Sequence, residues 1–218
     1  MPDTTPKLES SIRKHLAPLL RGEGFSGSGR TFRRVDQWAV HLVNVQGFFY
    51  GGRFAVNLAV HPLALPDTAN NAADAKRTKE EHCEFRTRLT ESAAGRTWDH
   101  DGTVQGMDAA TLDAAEVYRN NAARFFSLFT SQDSVFHRFD TASLKACTPD
   151  LKRYCLGSQA RVAFVMARLR KTQERLAEAR DFAAYGLSLV NPGFAGYQEL
   201  QEIADDASGL LPVRNQAV

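Results

Sequence analysis

From residue 54 to residue 61 the chain alternates. Phe54, Val56, Leu58 and Val60 fall on one side, and Ala55, Asn57, Ala59 and His61 on the other. A period of two marks a β-strand, because successive side chains of an extended backbone point to opposite faces. Residues 30–36 and 38–48 are also dense in Val, Phe, Trp and Leu and are separated by short breaks, so they read as strands preceding 53–61. Gly47, Gly51 and Gly52 flank the second connection, which makes 38–61 a hairpin with a turn of about four to six residues. So short a link requires antiparallel pairing, since a parallel crossover needs a dozen or more residues.

Other periods give other elements. Leu8, Ile12, Leu16, Leu19 and Leu20 recur at helical spacing, predicting an amphipathic helix over 6–21 that starts at Thr5-Pro6 and stops at Gly22 or Gly24. Pro18 lies inside it and cannot donate to the carbonyl four residues back, so a kink or an early end is expected there. Residues 65–79 are small and polar and read as a mobile loop. After them Cys83, Phe85 and Leu89 share one period-two face and His82, Glu84, Arg86 and Arg88 the other, predicting a fourth strand over 82–89, with a short helix as the competing reading. Trp98 falls in a turn region. Leu112, Ala115, Tyr118, Ala122, Phe125, Phe126 and Phe129 predict a helix from about 108 to 130 capped by Asp108. Thr148-Pro149 announces a short helix. Ser158 caps one with Val162, Val165, Met166 and Leu169 on its face, and two more follow, the first ended by Asn191-Pro192-Gly193. Helices joined by so short a turn form an αα-hairpin. It resembles one tetratricopeptide-type unit, without a second copy.

Strands first and helices afterwards give an α+β fold. An N-terminal helix packs on an antiparallel sheet of about four strands within residues 1–130. A helical region over 131–218, containing the hairpin, packs on that domain.

Composition changes this picture little. The 218 residues are 43% hydrophobic and 24% charged, ordinary for a globular chain. The formal charge of +2 divides into +3, −3 and +2 over residues 1–70, 71–140 and 141–218, so no stretch has the clustered Lys and Arg that a nucleic-acid partner needs. Trp38–Gly52 is weakly charged but too short to span a bilayer as a helix, and the first residues lack an apolar leader core. Three cysteines without a C-x-x-C pair suit reduced thiols in the cytoplasm.

Most chemical motifs fail on context. Gly22-Glu-Gly24-Phe-Ser-Gly27 has the dinucleotide-loop spacing, but a helix precedes it and a strand follows, the reverse of what a pyrophosphate site needs. Ser11 and Lys14 have the S-x-x-K spacing without its partner motifs. Asp99–Gly102 opens like a calcium loop, yet Val104 and Ala110 stand where the Gly and the bidentate Glu belong. His82 and Cys83 point to opposite strand faces. His41 and His61 fall on neighbouring strands without obvious carboxylates, so neither a metal nor a cofactor is expected. No nucleophile–base pair stands out around Cys83 or Cys147.

What remains is polar residues among apolar strand neighbours. Asn44 and Gln46 share a face with Trp38, Val40 and Leu42, and Asn57 lies midway along its strand. One reading has these amides bond to one another and fix strand register. The other makes Gln46 and Asn57 the lining of a groove in which Arg86 and Arg88, two apart and facing the same way, hold a carboxylate or phosphate. Against it stands a solvated face on which Glu84 partly neutralises the arginines.

The order of features is itself informative. A Leu-rich helix ending in Gly24-Phe25 leads to Thr31-Phe32-Arg33-Arg34, then Val43-Asn44-Val45-Gln46, Phe54-Ala55-Val56-Asn57-Leu58-Ala59-Val60, His82-Cys83-Glu84-Phe85-Arg86-Thr87-Arg88-Leu89 and Trp98. Over residues 8–130 this resembles the bacterial family catalogued as a domain of unknown function numbered 4304, departing from it at Asp99, where a second aromatic is usual. The resemblance implies the α+β domain, carries no activity, and groups Gln46, Asn57, Arg86, Arg88 and Trp98. Functionally, the expectation is a non-enzymatic protein-interaction domain, of which an immunity or antitoxin-like role is one form. The alternative is a domain binding a small anionic ligand, extending to a hydrolase. Neither nucleic acid nor a membrane is an expected partner.

Overall fold

The computed structural model describes residues 7–68, 71–90, 96–129, 135–147 and 158–206. Two compact units divide the chain between Arg138 and Phe139.

The first unit opens with helix α1, a continuous run of Leu8–Ser11, a π-helical stretch Ile12–Leu16 and Ala17–Gly22. Pro18 supplies the reason for the change in winding. It offers no N–H to the Lys14 carbonyl, and its ring would strike that oxygen in a regular helix. The backbone widens before it, and the Ala17 N–H reaches the carbonyl of Ile12. Leu8, Ile12, Leu16 and Leu20 are buried along one side.

The strands are β1 Ser26–Ser28, β2 Thr31–Val35, β3 Ala39–Gly47, β4 Arg53–Pro62, β5 Phe85–Arg88 and β6 Trp98–Asp99. All pairs are antiparallel, in the order β1-β2-β3-β4-β5, with β6 also pairing with β4. Two of these were not predicted. Ser26–Ser28 has no apolar alternation, and Trp98, expected in a turn, lies in the two-residue strand β6, too short to show a period.

Helix α2, Val104–Ser127, covers one face of the sheet. There Phe126 meets His41 with ring centroids 5.5 Å apart, and Phe129 just beyond the helix meets Phe85 at 5.1 Å. The helix starts four residues before the predicted Asp108, because the Thr103 hydroxyl accepts from the Gly106 N–H and serves as its cap. Leu112, expected to face inward, is half exposed. Asp108 instead ties α2 to α1: the Ser11 hydroxyl and the Lys14 ammonium each donate to it at 2.6 Å. At the far end of α1 the Tyr118 hydroxyl donates to Glu23 at 2.7 Å. Helix α3, Val135–Arg138, closes this unit.

The opposite face of the sheet is covered by chain. The described residues of the segment expected to be a mobile loop fold over it, with Leu65, Asp67 and Thr78 buried, followed by buried Glu80 and Cys83. Arg33 holds the segment by donating from Nε and one terminal nitrogen to the Thr78 carbonyl at 3.2 and 3.0 Å. Cys83 joins Val40, Leu42 and Ala59 on this side, not Phe85 on the other. The predicted common face fails because Cys83 precedes β5, following a single turn of 3₁₀ helix, Glu80–His82.

The second unit is helical: α4 Thr141–Ala146, α5 Gln159–Thr172, α6 Leu176–Leu189 and α7 Tyr197–Asp205. Ser158 caps α5 as expected. The helix announced by Thr148-Pro149 lies outside the described residues. Arg170, near the end of α5, is fully buried; it donates to the Gln173 side chain and the Phe139 carbonyl and lies 3.2 Å from Glu178. Burial, with Arg175 nearby, pulls its pKa down to about 10 in spite of Glu178.

Candidate functional site

Register places four polar residues in one row across the sheet: Thr31 opposite Asn44, Asn44 opposite Asn57, and Asn57 opposite Arg88. A second row, two residues along, runs Arg33, Leu42, Ala59 and Arg86. Gln46 lies diagonal to Asn57, within reach of a long side chain. Four of the five grouped residues, Gln46, Asn57, Arg86 and Arg88, therefore meet on one face. The cause is parity, since each sits an even number of residues from the others along its strand or across a paired position.

The bonds among them are specific. Asn57 Nδ2 donates to Gln46 Oε1 at 3.0 Å and to Glu80 Oε2 at 3.4 Å. Arg88 donates from Nε to Asn57 Oδ1 and from a terminal nitrogen to Gln46 Oε1, both at 3.4 Å. Arg86 Nε donates to Glu80 Oε1 at 2.8 Å and a terminal nitrogen to the Glu81 carbonyl. Asn44 is apart from the cluster, donating to the Thr31 hydroxyl at 3.0 Å.

Glu80 was not foreseen. It is brought in by the 3₁₀ turn and is buried, and it supplies the charge on Arg86 that Glu84 was expected to supply. No strand or helix period touches it, so nothing in the chain pattern points to it. Arg88 has no carboxylate within ion-pair distance among the described residues.

Trp98 does not belong with these residues. Paired opposite Phe54, it stacks on that ring at 5.7 Å on the helix-covered face. Its indole N–H donates to Asp113 at 2.8 Å, and the Arg96 guanidinium lies over it. Parity along β4 decides this, because Phe54 and Asn57 are an odd number of residues apart.

The remaining motifs resolve locally. Ser11 and Lys14 share the Asp108 carboxylate, so the hydroxyl proton faces an acceptor already held well below the ordinary carboxylate range by Lys14, Ser11 and His15. Asp101 accepts from the N–H and hydroxyl of Thr103, a turn leading into α2. His41 and His61 are on neighbouring strands but on opposite faces: His41 bonds Asp36 at 2.7 Å, and His61 approaches the Leu65 carbonyl. No group of three metal-ligating side chains occurs among the described residues. The Cys83 thiol is pushed far up by burial and by Glu80, and it donates to the Lys79 carbonyl.

One feature went unread in the sequence. The β3–β4 connection is Phe48-Phe49-Tyr50-Gly51-Gly52, with Phe49 95% and Tyr50 96% exposed and their rings edge-on at 5.3 Å. Gly51 and Gly52 have φ of +70° and +69°, the left-handed conformation that closes the turn, and the Gly51 N–H donates to the Phe48 carbonyl. The run of aromatics could have been noticed, because turns favour Gly, Asn, Asp, Pro and Ser. Charges around the knob are paired, Arg53 with Asp99 and Arg30 with Glu9.

Residues 16–116 match the model of a family described as Domain of unknown function (DUF4304), a stretch that contains all six strands, the polar rows and the aromatic turn. The chain matches no curated protein and no solved structure. Among the described residues, no helix is long and apolar enough to cross a membrane.

Proposed function

We propose, for a chain whose residues 16–116 belong to the DUF4304 family, that this is a cytoplasmic protein-binding module that docks another protein through the tip of the β3–β4 hairpin. The observation that carries this reading is the full exposure of Phe49 and Tyr50 on a turn. Burying one such side chain stabilises a complex by about 1.5–3 kcal/mol, and aromatic anchors entering a partner's pocket are the usual energetic centre of an interface. Val35, Val104, Leu112 and Leu189 are exposed singly, which is ordinary.

The partner's class follows from the rim. With Arg53 and Arg30 already on carboxylates, the knob offers apolar rings with Arg88 as a single uncompensated charge near by, which fits a pocket on a protein better than the run of phosphates of a nucleic acid or lipid surface. A binding role rather than bond-breaking is also supported by Ser11 and Cys83, whose hydroxyl and thiol are held by Asp108 and by burial.

A photo-crosslinking residue in place of Tyr50 tests this in the native cell. The expected result is one protein adduct that disappears when Phe49→Ser is added, with the thermal midpoint unchanged because the removed ring is almost wholly in water. Flotation with anionic vesicles, or crosslinks that persist in Phe49→Ser, would refute it.

A further inference from the structure

The hydrogen bonds of the polar cluster have a direction. Both side-chain oxygens in it are accepting from within: Gln46 Oε1 from Asn57 and Arg88, and Asn57 Oδ1 from Arg88. The Glu80 oxygens are likewise occupied, by Arg86 and Asn57. The outward groups are therefore donors alone. Gln46 Nε2 and the second terminal nitrogen of Arg88 have no partner among the described residues, and Gln46 is exposed while Arg88 is half-buried.

The charge count is equally one-sided. Glu80 neutralises Arg86, which leaves the Arg88 guanidinium as the uncompensated charge of the cluster. From these observations we infer that Arg88 and Gln46 form a receptor for a single carboxylate, presented by an acidic side chain or chain end of the protein that the hairpin tip engages. The inference rests on the docking reading above.

A carboxylate fits for three reasons. It is planar with two acceptor oxygens, so one can take the free edge of the guanidinium and the other the Gln46 amide. A monoanion matches one free cation, whereas a phosphate dianion would need Arg86 as well, which Glu80 already holds. The position also suits a shared partner, because Gln46 lies two residues before Phe48, about 7 Å along an extended strand.

The probe is sodium acetate, titrated against the full chain at constant ionic strength maintained with chloride, and observed by NMR at the Arg88 Nε–H and the Gln46 side-chain amide. Saturable shifts at both groups, absent at the exposed Arg119, are expected. Arg88→Lys, which keeps the charge but loses the fork, weakens the response at least threefold. Gln46→Glu places a carboxylate within the receptor and abolishes the response without lowering the thermal midpoint. That variant answers the objection that Arg88→Lys merely loosens the sheet.

Equal shifts at Arg119, or an unchanged response in Gln46→Glu, would overturn the inference. A hyperbolic response to phosphate at tenfold lower concentration than acetate would overturn the carboxylate assignment. If acetate fails while the position-50 crosslink persists, the receptor falls and the docking reading stands. If the crosslink fails and acetate still binds, the docking reading falls instead, and with it the partner assigned to the receptor.

Discussion

Asn57 shows what a single polar side chain does inside this sheet. Its amide joins β3 through Gln46, β5 through Arg88 and the covering segment through Glu80. Asn57→Ala leaves those groups short of partners, and a buried polar group without one costs about 1–3 kcal/mol. Urea unfolding should read a loss of that size, while Asn57→Asp, which keeps an acceptor for Arg88 but faces Glu80 with a like charge, should lose more. His41 makes a different statement, about pH. Burial, assisted by Arg34, holds its pKa below the ordinary 6.5 even though Asp36 pulls the other way. The folded ring stays neutral where the unfolded one takes up a proton, so stability is complete above pH ~6.5 and falls as pH drops toward the folded pKa. The urea midpoint should decline between pH 7 and 5, and decline less in His41→Gln, which keeps a donor for Asp36. Cys83 is the third case. Its raised thiol and burial predict that native protein treated with iodoacetamide at pH 8 leaves Cys83 unmodified, and peptide mapping reads this directly.

At the scale of elements, the joint between α1 and α2 depends on one carboxylate. Lys14, with Ser11 and His15, holds the Asp108 pKa far below the ordinary carboxylate range. A depressed carboxylate contributes stability above its unfolded pKa and loses it as pH falls toward the folded value. Asp108→Asn should therefore lower the thermal midpoint at pH 7 and flatten the acid limb below pH 4, as a pH series of melts would show. The same joint explains why the predicted helix start was misplaced. An acidic residue near a helix start reads as a cap from its type alone, yet Thr103 occupies the cap and Asp108 is in the second turn, bonded to another helix. The hairpin was legible for the opposite reason. Both its strands are long enough to show their period, and Gly51-Gly52 fixes the turn.

For the molecule as a whole, the two units are stabilised in different ways. The first is a sheet covered on both sides, by helices on one face and by Leu63, Leu65, Ala75, Thr78 and Cys83 on the other. The second is a helical unit with an arginine at its centre. Arg170 reaches the Phe139 carbonyl, Gln173 and Glu178, and its replacement takes the donor from the first two, while Glu178 keeps Arg175. Arg170→Met should cost about 1–3 kcal/mol, the cost of leaving a buried carbonyl and amide oxygen without a donor, and far-UV CD in urea measures it. This arginine gave no signal in the chain, where Arg170–Thr172 reads as a break between helices. A cation at a helix end is ordinary on a surface, and only packing shows that this one is enclosed.

The residues by themselves determined the α+β class, the antiparallel hairpin, the boundaries of α5 and the common direction of Arg86 and Arg88, because each follows from a period or a short connection along one segment, whereas the register that sets Gln46 and Asn57 beside those arginines belongs to the pairing of strands. Only the tertiary structure decided that Trp98 stands on the other face, that Cys83 parts from Phe85, that Glu80 closes the cluster and that Phe49 and Tyr50 remain in water. Those facts depend on which segment covers which face. Covering is a contact between distant parts of the chain, and local periodicity carries no record of it.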